Sequence, residues 1–149
     1  EIYERPKTKF VATFLGSPQM NLVSGKIVRE SGAFYADGGG VHARLDEERF
    51  GRSLEEGREV TIGVRPHDMG LAHADRSDPT IAELKVEIVE ALGSEAFAHG
   101  WLRQAGPTFV TRLDAADARG VKPGSTIPLT ASPSSIHLFD AKTDRALEA

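Results

Sequence analysis

The stretch AELKVEIVEAL, residues 82–92, alternates apolar and charged side chains from Ala82 to Ile88. A period of two is typical of a β-strand that buries one face. The adjacent pair Ile88 and Val89 breaks the alternation, which a β-bulge would do because it inserts one extra residue. The stretch therefore predicts a long, bulged strand in a mainly β protein.

The remainder of the chain repeats this pattern in shorter runs. The 149 residues include 15 Gly and 8 Pro, a content that favours many short strands separated by turns. Residues 60–64 place Val60, Ile62 and Val64 on one face, and Pro128 indicates that its own strand lies at a sheet edge. The other predicted strands are 26–30, 33–36, 41–45, 96–103 (with Phe97, His99 and Trp101 on one face), 109–113, 125–131 and 136–139.

Two punctuated segments divide the chain. Pro6 suits the first turn of a short helix whose apolar face carries Phe10 and Phe14, and Gly16 with Pro18 would end it. The polar residues 73–79 indicate a connector. We therefore predict an N-terminal helix and junction over 1–21 and two five-stranded, barrel-like subdomains over 22–78 and 79–149, whose strands can also interleave into one domain.

Composition excludes several classes of function. The formal net charge is −4 and the pI is near 5.7, which argues against a nucleic-acid partner because such proteins need a basic surface. The absence of Cys excludes disulfides, thiolate zinc sites and a cysteine nucleophile. No apolar run approaches the ~20 residues of a membrane-spanning helix.

No motif in the sequence predicts catalysis or a cofactor site. The glycine-rich residues 37–40 are followed by strand-like alternation and no Gly-Lys-Ser/Thr occurs, so a hairpin turn is predicted instead of a phosphate loop. The five histidines are scattered, without the spacing of a metal motif. Ser132, Ser134 and Ser135 lie near His137, but no Gly-x-Ser-x-Gly frames them.

Four blocks of sequence resemble a known family. Residues 14–21, FLGSPQMN, are similar to the segment that follows the ATP-binding cassette in ATP-binding subunits of maltose-transporter-type ABC importers. The blocks IGVRPHD at 62–68, VEIVEALGSE at 86–95 and IHLFD at 136–140 resemble later segments of that family, in the same order. His67 stands where the family usually has glutamate.

The resemblance implies a non-catalytic regulatory domain of two OB-like barrels, called a TOBE domain. It implies a homodimer through these domains, contact with the importer's nucleotide-binding domain and membrane subunits, and in some members a regulatory protein. The transported solute would be a sugar or a related compound, and the location would be cytoplasmic, at the inner face of the membrane. ATP and Mg²⁺ would bind to a nucleotide-binding domain absent from this chain, which is therefore expected to be a fragment without cofactors.

The same resemblance indicates which positions contact other parts of an importer. The junction candidates are Gly16, Ser17, Pro18, Met20 and Asn21, and the partner-surface candidates are Arg65, Pro66, Gly93, Glu95, His137 and Phe139.

Two alternative functions remain open from sequence. Related transport-associated barrels bind oxyanions such as molybdate, and Arg65, Ser94 and Lys122 would be candidate donors here. Single-stranded nucleic acid would need stacking aromatics, which Phe34, Tyr35, Phe97, Trp101 and Phe109 would supply, but also a basic groove that an acidic chain does not favour.

Overall fold

Ten β-strands make up most of the computed structural model, which describes residues 7–8, 19–102 and 106–148. The predicted N-terminal helix, together with Gly16, Ser17 and Pro18, lies outside these residues. The strands are β1 (Asn21–Glu30), β2 (Ala33–Gly38), β3 (Val41–Arg44), β4 (Glu59–Val64), β5 (Met69–Leu71), β6 (Ala82–Leu92), β7 (Glu95–Trp101), β8 (Thr108–Asp114), β9 (Thr126–Ala131) and β10 (His137–Asp140). Two four-residue helices, α1 (Glu47–Phe50) and α2 (Ala115–Ala118), complete the regular structure with four short 3₁₀ turns at Gly51–Ser53, Pro66–Asp68, Ala74–Arg76 and Pro133–Ser135.

The first sheet has the order β10-β4-β1-β2-β3, with all neighbours antiparallel. Two-residue turns join β1 to β2 and β2 to β3. In the second turn Gly39 and Gly40 have φ values of 62° and 94°, as the tight hairpin turns favoured by the twist of paired strands require. The prediction that residues 37–40 form a hairpin turn is confirmed.

The second sheet has the order β5-β9-β6-β7-β8 and contains the predicted bulge. The register between β6 and β7 shifts between Val86, opposite Gly100, and Ile88, opposite His99, so Glu87 is the extra residue. A Cβ at Gly100 would lie 1.9 Å from the carbonyl oxygen of Lys85. Only glycine therefore lets β7 approach the bulged strand this closely.

Each sheet takes one strand from the other half of the sequence. β5 precedes the connector but pairs with β9 in the second sheet, whereas β10 comes near the end of the chain and pairs with β4 in the first. The boundary between residues 78 and 79 is thus crossed by two strands.

Pro128 does not mark an edge strand, contrary to the sequence-based expectation, because β9 lies between β5 and β6. The carbonyl of Pro128 accepts a hydrogen bond from the amide of Ala72, one residue beyond the end of β5 at Leu71. In an antiparallel pair the missing N–H of Pro128 would face the same neighbour. Proline is tolerated because the pairing with β5 stops at this position.

One apolar core is shared by the two sheets, with Ile27 and Phe50 from the first half of the chain beside Leu84 and Phe109 from the second. In β7 the small residues face the core and the large residues face outward. Its buried side chains are Ala96 and Ala98, with Gly100, while Phe97, His99 and Trp101 lie on the half-buried outer face.

Candidate interaction sites

Asn21, a predicted junction residue, connects the two sheets with its side chain. Its amide nitrogen donates to the carbonyls of Val64 in β4 (3.1 Å) and Val110 in β8 (2.8 Å). Its amide oxygen accepts from the backbone N–H of Val110 at 2.9 Å. Asn21 is 8% exposed and pairs with the edge of β8 as a short strand would. The side chain therefore holds the second sheet against the start of β1.

Met20 and Phe139 form a second, smaller apolar cluster on the outer side of the first sheet. Leu22 and Ala146 pack against them. Gly63 lies beneath Met20, whose sulfur would be 2.4 Å from a Cβ at that position. Phe139 is 0% exposed, so its side chain offers no surface to a partner.

Arg65 and Pro66 begin the turn between β4 and β5 and are both buried. Burial lowers the pKa of the Arg65 guanidinium below its usual value, and the nearby Asp68 carboxylate partly offsets this shift. These two residues belong to the region between the sheets, not to an exposed surface.

His137 is likewise buried, at the start of β10. Its Nδ1 lies 3.0 Å from a guanidinium nitrogen of Arg49. The same guanidinium donates to the carbonyls of Ser134 and Ile136, at 3.1 and 2.9 Å. Arg49 thus holds the short turn that leads into β10. No sequence signal singled it out, because its partners, two backbone carbonyls and the imidazole of His137, lie 85 to 88 residues away in the chain.

Gly93 and Glu95, at the tip of the hairpin between β6 and β7, are the two predicted partner-surface residues with substantial exposure. Gly93 has a φ of 72°, and Glu95 accepts a 2.6 Å hydrogen bond from Nε of Arg112 on β8. This bond raises the pKa of Arg112. His67 approaches the same carboxylate at 3.8 Å and packs its ring edge on Phe97, with centroids 5.3 Å apart. The prediction of a partner surface thus rests on this hairpin tip.

Four histidines lie close to carboxylates instead of to each other. Among the described ranges 7–8, 19–102 and 106–148, no three His, Asp or Glu side chains converge to hold a metal ion. The distances from an imidazole nitrogen to a carboxylate oxygen are 2.9 Å for His42–Asp37, 3.2 Å for His42–Glu30, 3.8 Å for His67–Glu95, 3.2 Å for His73–Asp117 and 3.4 Å for His99–Glu90.

The candidate oxyanion donors occupy different environments. Arg65 is buried, whereas Ser94 and Lys122 are exposed, in the β6–β7 turn and in the loop before β9. The five aromatic residues considered for base stacking are also dispersed: Phe109 is fully buried, and Phe34 and Tyr35 lie in the first sheet.

Comparison with known domain families matches almost all of the described chain. A model described as the MalK OB fold domain matches residues 16–69, and one described as the TOBE domain matches residues 62–139. The chain belongs to the TOBE domain family. The two matched ranges overlap at residues 62–69, where β4 ends and the turn at Arg65 begins.

The TOBE assignment agrees with several curated relatives. The chain is 41% identical over 156 residues to the sn-glycerol-3-phosphate import ATP-binding protein UgpC of Ralstonia nicotianae, covering 100% of this chain and 40% of that protein. It is 38% identical to UgpC of Cupriavidus pinatubonensis, with the same coverage, and 35% identical to UgpC of Escherichia coli K12, covering 96% of this chain and 37% of that protein. The chain thus spans about 40% of the length of these relatives. The predicted resemblance to the TOBE region of importer ATP-binding subunits, a region that is not itself the ATPase, is confirmed.

A solved structure of the cytoplasmic molybdate-binding protein ModG has the same fold. It aligns with a TM-score of 0.57 and 19% identity, covering 79% of this chain and 94% of ModG. The predicted mainly β, OB-like fold class is confirmed. No helix in the described part of the TOBE chain is long and apolar enough to cross a membrane.

Proposed function

We propose that this TOBE chain is the regulatory region of an ABC-importer ATP-binding subunit for a sugar phosphate or related solute. The names of the UgpC relatives support the solute class. The structural observation that carries the proposal is the connection of both sheets by Asn21 and by the exchanged strands β5 and β10. A regulatory region must transmit a bias between open and closed transporter states, and a single connected body does this better than two independent barrels.

The test uses the full-length subunit assembled with its membrane subunits. Asn21→Ala is compared with Ser24→Ala, which changes an exposed residue of the same strand. We expect both variants to retain basal ATP hydrolysis, because this chain supplies no catalytic group. Only Asn21→Ala is expected to reduce the stimulation of hydrolysis by transported solute and its binding protein. Equal stimulation in both variants would contradict the regulatory role of the connected domain.

We further propose that two copies associate through the outer face of β7. Phe97, His99 and Trp101 are half-buried there, on the side of the sheet away from the core. An apolar patch of this kind is typical of interaction sites. The location is proposed to be cytoplasmic, at the inner face of the membrane, through binding to the importer's membrane subunits.

Sedimentation equilibrium of the 149-residue chain tests the association. Trp101→Ala is expected to weaken it, whereas Ser24→Ala, on the other sheet, is expected to leave it unchanged. A monomer at millimolar concentration would remove the dimer proposal without affecting the regulatory one.

A further inference from the structure

The outer half of β6 has an edge without a neighbouring strand. β9 pairs with β6 from Ala82 to Lys85, and Val86 exchanges hydrogen bonds with residues 124 and 125. From Glu87 to Leu92, no strand in the described ranges of the chain lies beside this edge. The other edge is paired with β7 from Ile88, just after the bulge residue Glu87, up to the hairpin turn. Within the part of the chain that the structure describes, the segment is therefore paired on one side and has no strand on its other side.

The register of the hairpin identifies the backbone groups that point away from β7. Leu92 and Glu95 flank a two-residue turn, and residues that flank such a turn exchange both of their ladder hydrogen bonds. The pairs Glu90–Phe97 and Ile88–His99 follow at the same spacing. The intervening residues, Val89 and Ala91, therefore direct their N–H and C=O groups to the open edge.

The side chains along this edge are apolar at both ends and acidic between. Ile88 and Leu92 are each 52% exposed, and Glu90 lies between them on the same face. The Glu90 carboxylate lies beside a partly exposed imidazole, with 3.4 Å between its Oε1 and Nε2 of His99. Edge strands are often protected from pairing by Lys, Pro, other charges or a bulge. Residues 87–92 contain no Lys or Pro, their bulge lies at the inner end of the segment at Glu87, and the charge in the remaining part is that of Glu90.

We propose that the edge from Glu87 to Leu92 binds an extended strand of another protein that carries apolar, basic and apolar side chains at alternate positions. Backbone hydrogen bonds to Val89 and Ala91 would hold the strand in the sheet. Its apolar side chains would lie beside Ile88 and Leu92, and its Lys or Arg beside Glu90. This site does not depend on the proposed regulatory function.

A second copy of this chain fits the edge less well. Antiparallel pairing about a two-fold axis at Glu90 matches Ile88 with Leu92 but places the two Glu90 carboxylates directly opposite each other, which is destabilising. An axis at Val89 sets Ile88 opposite Glu90, and an axis at Ala91 sets Glu90 opposite Leu92. Charge complementarity therefore favours a basic strand from a different protein.

The experiment titrates the 149-residue chain with two blocked peptides, TVTKTVT and its acidic counterpart TVTETVT. Backbone chemical shifts and amide hydrogen exchange are followed by NMR. We expect the lysine peptide to bind more tightly by about five-fold, the ratio that corresponds to exchanging a favourable for an unfavourable cross-strand charge pair. The amides of Val89 and Ala91 should exchange severalfold more slowly in its presence.

Three variants test the geometry and the charge separately. Glu90→Lys should reverse the preference to the acidic peptide. Glu83→Lys is the matched control, because Glu83 is also an exposed acid on β6 but lies where that strand is paired with β9, and the change should leave the preference unchanged. Ala91→Pro removes an outward N–H without removing a bond to β7, so it should abolish peptide binding while the circular dichroism spectrum stays the same.

Several outcomes would overturn the proposal. It fails if neither peptide binds, if both bind equally, or if binding leaves the amides of Val89 and Ala91 unprotected. Protection of these two amides that depends on protein concentration, without peptide, would identify a second copy as the occupant instead.

Discussion

Replacing Asn21 by alanine should lower the free energy of unfolding, because the Asn21 side chain joins the two sheets. The change removes three hydrogen bonds, to Val64 and to both backbone groups of Val110, and leaves their backbone partners in a region where Asn21 itself is buried. At about 1 kcal/mol of net stabilisation per bond the sum is about 3 kcal/mol. Val110 is half-buried, so water can hydrate its groups in part, and we expect a loss of about 2–3 kcal/mol in the free energy of unfolding.

Urea unfolding followed by Trp101 fluorescence measures this loss. A domain of this size should also show a melting temperature lower by about 6–10 °C. Ser24→Ala, in the exposed part of the same strand, should change the free energy of unfolding by less than about 0.5 kcal/mol. The amide of Val110 should exchange much faster in Asn21→Ala, because its hydrogen-bond acceptor is gone while the core amides remain paired.

Asn21→Asp distinguishes hydrogen bonding from packing. A carboxylate keeps the acceptor for Val110 but loses both donors and faces two carbonyl oxygens, so at pH 7 this variant should be less stable than Asn21→Ala. Burial raises the pKa of such a carboxyl in the folded state above its unfolded value of about 4. The destabilisation is therefore complete above the folded pKa and should decrease as the pH falls through it. If Asn21→Ala costs less than about 0.5 kcal/mol, or Asn21→Asp shows no such recovery, the connecting role of Asn21 is refuted.

Three further outcomes are expected. Gly100→Ala should cost about 3 kcal/mol or prevent folding, since its Cβ would meet the Lys85 carbonyl, whereas Gly70→Ala, with open space around the new methyl, should be neutral by thermal unfolding. The Arg58 guanidinium and two backbone N–H groups lower the pKa of Asp140 to about 2, so its contribution to stability is present above pH 4 and is lost as the pH falls through 2. Asp140→Asn should flatten the stability profile over that interval in acid titrations. Calorimetry with millimolar molybdate, tungstate or sulfate should show no binding heat, because the predicted donor side chains lie partly in the interior and partly in separate loops; a saturable heat would restore the oxyanion alternative.

The local pattern of the strands was predictable from the sequence. Alternation in residues 82–92 indicated the long strand, and the break at Ile88 and Val89 indicated a bulge, which the structure places at the preceding residue, Glu87. Both features depend on the two-residue period of a single chain segment. The hairpin turn at residues 37–40 was predictable because glycine adopts the positive φ values of such a turn without steric cost.

The two-residue period of a strand does not by itself determine which of its faces is buried. In β7 the larger residues Phe97 and Trp101 point outward, and Ala96 and Ala98 point inward. The small residues Ala96, Ala98 and Gly100 take the buried positions of β7, and at Gly100 the backbone of Lys85 in the neighbouring strand leaves no room for a side chain. The prediction that Pro128 marks an edge strand was wrong for a related reason. Whether a strand lies at an edge depends on a distant segment, here β5, which pairs with β9 and ends beside Pro128.

Three of the four family motif blocks mark the boundary between the sheets, whereas the block at 86–95 includes the exposed hairpin of β6 and β7. β10, β4 and β1 are adjacent, and their register places His137 opposite Gly63 and Asn21 opposite Val64. Three motif blocks that are far apart in the sequence thus meet at one end of three strands, beside the buried Arg65. Residues at such a place are constrained by packing and by hydrogen bonds between distant segments, so their identity reports the fold. Recognition of a partner requires accessible groups, and we propose that those of the hairpin beyond the bulge, where Ile88, Glu90 and Leu92 are exposed, serve this purpose.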